Sequence, residues 1–145
     1  MLGRRELSEA QVRQRLAKRG HDGAAIDAAV ARLKSDRSLD DSRVAGAIAR
    51  SETSLRKRGK LRVKRRIEAA GIAPAIAQRA IDDTFQDIDA DALIAAALDR
   101  RLRGRTSIED DREFQRLYRY LTSQGFESDR IVPLLRRLRQ GHKDV

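Results

Sequence analysis

Three glycines punctuate this chain at nearly even intervals, and each closes an apolar helical stripe. Val12, Leu16 and Gly20 stand four residues apart, as do Val63, Ile67 and Gly71, and again Leu117, Leu121 and Gly125. The glycines lie 51 and 54 residues apart. A step of four places each apolar pair on one helix face, and Gly readily takes the left-handed conformation just past a helix end. After each Gly comes a short turn and a second helix with an apolar anchor, Ile26, Ile76 or Ile131. A helix–Gly–helix unit recurring at this period is the pattern of a tandem helical array. Units this small, rich in Ala and poor in aromatic residues, bury enough apolar surface only by leaning on their neighbours.

The rest of the chain follows the same helical period. Apolar residues step by three and four through Ile26, Val30 and Leu33 and through Val44 and Ile48, and no stretch alternates as a strand would. Ser8 with Gln11 forms a capping-box pattern, Asp40 and Asp41 suit a helix start, and Pro74 suits a first helical turn. The spacing predicts eight helices near 8–19, 23–35, 41–57, 60–70, 74–86, 89–103, 109–124 and 128–139. The expected core is Leu16, Ile26, Val30, Val44, Ile48, Ile67, Ile76, Leu121, Ile131 and Leu135.

Charge bears on function. Lys and Arg total 32 against 22 Asp and Glu, a formal +10 with a pI near 10.9, which attracts polyanions or acidic protein faces. The bases concentrate in one stretch, where eight of eleven residues from Arg56 to Arg66 are basic: Arg56, Lys57, Arg58, Lys60, Arg62, Lys64, Arg65 and Arg66. Val63 and Ile67 run through its second half, so that half is an amphipathic helix with bases on its other faces, and Gly59 marks the joint from the preceding helix. One reading is a solvated helix face. The other is a binding surface, favoured because such a density of like charge costs stability, and these eight bases are the candidate partner- or DNA-binding residues.

Other function classes find little support. The 145 residues contain no Cys, which removes disulfides, a thiolate nucleophile and Cys-ligated zinc. No apolar run is long enough for a membrane span or resembles a signal peptide, so a soluble cytoplasmic protein is expected. The two His, His21 and His142, are too few for a His-based metal centre. The acidic group Asp82, Asp83, Asp87, Asp89 and Asp91 is explained more simply by helix capping than by a cation site. Gly104–Ser107 lacks the other glycines and the lysine of a phosphate loop. No catalytic residue, metal or cofactor is expected, and the chain reads as a non-enzyme.

Four segments carry a family resemblance: RRELSEAQVRQRLAKRG (4–20), LDDSRVAGAIARS (39–51), RGKLRVKRRIEAAGI (58–72) and LYRYLTSQGFESDRI (117–131). Together they resemble the RecX family of recombinase regulators, over almost the whole chain and in the family's order. The Leu-Asp-Asp-x-Arg element at Leu39–Arg43, followed by a Gly-ended helix, is the most specific part. The resemblance implies an all-α, elongated array of tandem short three-helix repeats. Here the first repeat lacks its opening helix, since only Met1–Leu7 precede the Ser8 cap. The units expected are 1–35 with two helices, and 39–86 and 87–140 with three each. Val44 stands where the family usually has an aromatic residue, and 87–104 matches the third repeat's opening helix only loosely.

For function, the resemblance implies a regulator that binds the RecA recombinase and its filament on single-stranded DNA, restraining filament growth, ATP hydrolysis and strand exchange. That would place the chain in homologous recombination, DNA repair and the SOS response. An array capped by polar ends is expected to be a monomer, with weak, salt-dependent DNA contact and no membrane partner. The alternative is a basic helical module that binds nucleic acid directly. Single-strand binders usually stack bases on aromatic rings, and this chain has five, of which Phe114 and Tyr118 share a core-like stripe with Leu121. Tyr120 points elsewhere, and one ring is not a platform.

Overall fold

The computed structural model describes residues 6–143, with side chains described for 6–140. Among these residues there are eight helices and no strand: α1 (Glu9–Lys18), α2 (Gly23–Ser35), α3 (Asp41–Ser54), α4 (Lys60–Ala69), α5 (Pro74–Phe85), α6 (Ala90–Leu102), α7 (Asp111–Ser123) and α8 (Ser128–Lys143). The structure is all-α, as the periodicity predicts, and the expectation about an opening helix falls in part on residues outside those described.

Local chemistry sets the boundaries. The Ser8 hydroxyl accepts from the Gln11 N–H while the Gln11 side chain accepts from the Ser8 N–H, completing the capping box of α1. Asp22, Asp40, Asp89 and Asp110 cap α2, α3, α6 and α7 in the same sense, and Pro74 opens α5. Gly20, Gly71 and Gly125 sit past their helices with φ of 90°, 80° and 98°. Two ends differ from expectation. α3 stops at Ser54, and Lys57 turns the chain with φ 55° before α4. α8 continues past 139 to Lys143 and contains Pro133, an interior residue that ordinarily costs about 3 kcal/mol. Ile131 and Leu135 on either side of it are fully buried, so packing holds the helix together through the proline.

Three hydrophobic clusters lie along the chain. Ile26, Val30 and Leu39 form the first, with α1 and α2 around it. α3, α4 and α5 enclose the second, centred on Val63, Ile67 and Ile81. The third lies among α6, α7 and α8, centred on Ile94, Leu121 and Ile131. Seven of the ten expected core residues are buried. Leu16, Ile48 and Ile76 are only half-buried, a correction to expectation. Leu16 packs at the rim of a cluster built on two helices, while Ile48 and Ile76 each face a groove beside α3. Phe114 and Tyr118 pack against the third cluster, as their stripe with Leu121 suggests.

The units are joined end to end through their Gly-terminated helices. At the first joint the end of α4 meets the start of α1, where the Ser8 hydroxyl donates to the Ala70 carbonyl. A Cβ at Gly71 would collide there with the Ala10 Cβ. At the second joint the end of α7 meets the start of α4. The Gly59 and Leu61 N–H groups donate to the Gln124 and Gly125 carbonyls at 2.8 and 3.0 Å. α4 has no side-chain cap, so carbonyls at the end of another helix satisfy amides that its own N-terminus leaves open. The three helices with the repeating Gly therefore stand head to tail.

Candidate functional site

The second joint takes up part of the basic stretch. Arg62 Nη1 donates to the Ser123 carbonyl at 3.0 Å and to Gln124 Oε1 at 3.2 Å. Arg58 also donates to Gln124 Oε1, and its Nε lies 4.0 Å from Glu52, with only 18% of the side chain exposed. Glu52 is itself buried and lies 3.6 Å from Arg66 Nε. Burial holds the Arg62 guanidinium below its ordinary range, and the neighbouring positive charges of Arg58, Arg65 and Arg56 add to the effect against the opposing pull of Glu52. Crowded like charges of this kind repel one another.

The other expected site residues divide by position. Arg56, Lys60 and Arg65 are exposed, while Lys57, Lys64 and Arg66 are half-buried. Lys60 places its ammonium 5.7 Å from the centre of the Phe85 ring, toward the second cluster. Arg56, Arg62, Arg65 and Arg66 converge on one cleft of about 720 Å³ between the second and third units. Its far wall is α7, which supplies Tyr118, Arg119, Thr122 and Ser123. Sequence reasoning missed Arg119 because nothing local ties a base on α7 to a stretch more than fifty residues earlier. It missed Gln124 for the same reason, and Glu52 because its burial beside Arg58 and Arg66 comes from the packing of α3 on α4. The one local signal was Gly59, which marks a joint.

The aromatic residues do not make a base-stacking surface here. The Tyr118 hydroxyl is 2.7 Å from the Ser128 hydroxyl, and the ring packs on the third cluster. Arg101 covers the Tyr120 ring at 3.9 Å, and Gln124 donates to its hydroxyl at 3.0 Å. Three of the five acidic residues have structural partners: Asp89 caps α6, Asp82 accepts from Gln78 at 2.8 Å, and Asp91 lies 3.6 Å from Arg130. No group of three metal-ligating side chains comes together among the described residues. His21 is exposed beside the end of α1, and the side chain of His142 lies outside the described residues.

A family model for the first three-helix domain of RecX matches residues 1–33. The regulatory protein RecX of Halorhodospira halophila is 30% identical over 132 residues, covering 90% of this chain and 79% of that protein. The chain belongs to the RecX family. RecX of Pelodictyon phaeoclathratiforme is 25% identical over 138 residues, covering 95% of this chain and 84% of its own length. The crystal structure of RecX from Lactobacillus salivarius superposes with a TM-score of 0.76 at 18% identity, covering 96% of this chain and 87% of that one. That likeness carries the fold, an array of helical repeats. The RecX relatives bear the name of regulatory proteins rather than of enzymes. Among the described residues no helix is long and apolar enough to cross a membrane.

Proposed function

We propose that this RecX-family chain is a non-catalytic regulator that binds the RecA recombinase on its single-stranded DNA filament and restrains filament growth, ATP hydrolysis and strand exchange. The supporting observation is the cleft between the second and third units, lined by Arg62, Arg65 and Arg66 of α4 and by Arg119 of α7, with the buried carboxylate of Glu52 set between Arg58 and Arg66. Crowded guanidiniums fit a partner dense in carboxylate or phosphate, and a nucleoprotein filament offers both. End-to-end units supply a long surface for a long partner, and a monomer working in the cytoplasm suits that role. The basic stretch from Arg56 to Arg66 is its working surface, with Arg58 and Arg62 holding the joint and the exposed Arg56 and Arg65 reaching the partner.

The test uses Arg56→Glu with Arg65→Glu, because both side chains are exposed and neither lies against Glu52 as Arg66 does. The double variant should keep wild-type stability, since exposed charges contribute little individually. It should require at least about tenfold more protein to inhibit recombinase ATP hydrolysis, with a flatter dependence on salt. Inhibition at wild-type concentration would make the stretch a solvated face. The second reading, direct nucleic-acid binding, draws on the same arginines. It requires bare single strands to lose as much affinity as filaments do.

A further inference from the structure

The basic cleft does not end at Arg56. A second groove, of about 330 Å³, meets it along Glu52, Arg56 and Arg66 and continues toward the first unit. Val44, Ala47 and Ile48 of α3 line this extension with apolar side chains, and Ser51 stands one helical turn beyond Ala47. Glu6 and Gln11 lie in its lining as well, and the Glu6 carboxylate accepts from Arg43 at 2.6 Å. The path therefore changes chemistry along its length. Toward α7 it is lined by Arg62, Arg65 and Arg119, while beyond Arg56 and Arg66 no base lines it among the described residues.

A nucleic-acid strand matches only half of such a path. Continued past Arg66, its phosphates would lie over alkyl groups and approach the Glu6 carboxylate, with no ring on which to stack a base. A purely apolar segment matches only the other half. A peptide with apolar side chains at one end and carboxylates at the other matches both. The α3 surface removes its apolar groups from water, and the guanidiniums receive its carboxylates in paired hydrogen bonds.

We propose that the two grooves form one docking channel for an extended acidic peptide segment of the protein partner. Its apolar residues lie over Ala47 and Ile48, and its carboxylates lie against Arg65 and Arg119. The assignment rests on the reading that the partner is a protein, and it adds which chemistry of that partner is read and where. It also gives α3 a role that no basic residue reveals.

The experiment compares the wild-type chain with Ala47→Gln, Ser51→Gln and Arg119→Glu. Binding is measured to recombinase filaments on single-stranded DNA and, separately, to a bare thymidine oligomer. Ala47 and Ser51 are exposed on α3, so Gln at either position alters the channel without changing charge, and Ser51→Gln serves should Ala47→Gln fail to fold. The two Gln variants should weaken filament binding about tenfold and leave oligomer binding unchanged. Arg119→Glu should weaken filament binding at least as much. Filament binding unaltered by both Gln variants overturns the channel. Equal losses on the filament and the oligomer overturn it too, by assigning the groove to a strand. Wild-type chain that fails to bind filaments at all sinks the proposed function instead, which separates the two failures.

Discussion

Ser8 does two jobs with one hydroxyl. It accepts from the Gln11 N–H at 3.2 Å to cap α1, and it donates to the Ala70 carbonyl at the end of α4. The side chain is fully buried, so its loss leaves a carbonyl without its partner at a joint between units. Ser8→Ala should lower stability by about 2 kcal/mol, toward the upper end for a helix cap, as measured by urea unfolding. A loss of only a few tenths would mean that the contact with Ala70 contributes nothing. Glu113 ties the start of α7 to Arg105. The Arg105 guanidinium, donating at 2.6 Å, holds its carboxyl below the ordinary glutamate range, aided by the Glu109 N–H at 3.2 Å. A lowered folded pKa stabilises the protein above the unfolded value, and that contribution is lost as pH falls through the folded one. Glu113→Gln should remove up to about 1 kcal/mol at neutral pH and cost progressively less as the medium becomes acid. Melting temperatures of both proteins across the acid range would check this.

The three repeating glycines separate two demands on one residue type. Each adopts positive φ, but they differ in what a side chain would meet. Nothing lies within 4 Å of a Cβ at Gly20, whereas Gly71 faces Ala10 and Gly125 faces the backbone of Arg62. Gly20→Ala should therefore cost about 1–2 kcal/mol, the penalty for the left-handed conformation alone. Gly71→Ala and Gly125→Ala should each cost clearly more, because a helix end must also back away from its neighbour. Equal losses at all three positions, measured by thermal unfolding, would show that the close approaches are not energetically important.

Across the whole molecule, cohesion depends on joints more than on one large core. Gly59 stands where two backbones meet, since a Cβ there would lie 2.5 Å from the Gly125 carbonyl. Gly59→Ala should open the contact between the second and third units while leaving all three apolar clusters in place. Helical content should then stay near wild type while the denaturant m-value falls, as two separately unfolding parts replace one. An unchanged m-value would mean that the units cooperate by another route. The Arg cleft spans the same joint, so the variant should also bind filaments more weakly without losing any charge.

The helices were legible in the sequence because their causes are local. Four-residue apolar steps, Ser8 with Gln11, Asp40, Pro74 and the three glycines act within a turn or two of where they stand, and the structure starts and ends its helices near those residues. The RecX resemblance was legible for a related reason, since it lies in short contiguous segments in a fixed order. The basic density of 56–66 was equally plain, but which bases remain free was not. Arg58 and Arg62 reach Gln124, and Arg119 joins Arg65 across a cleft, through contacts more than fifty residues apart in the chain. Nothing in a helical period encodes which helix end will meet which helix start. The sequence by itself determined the helices, their caps and the family. Only the tertiary structure decided the head-to-tail joints and the groove, because both arise where carbonyls and guanidiniums from distant units satisfy one another.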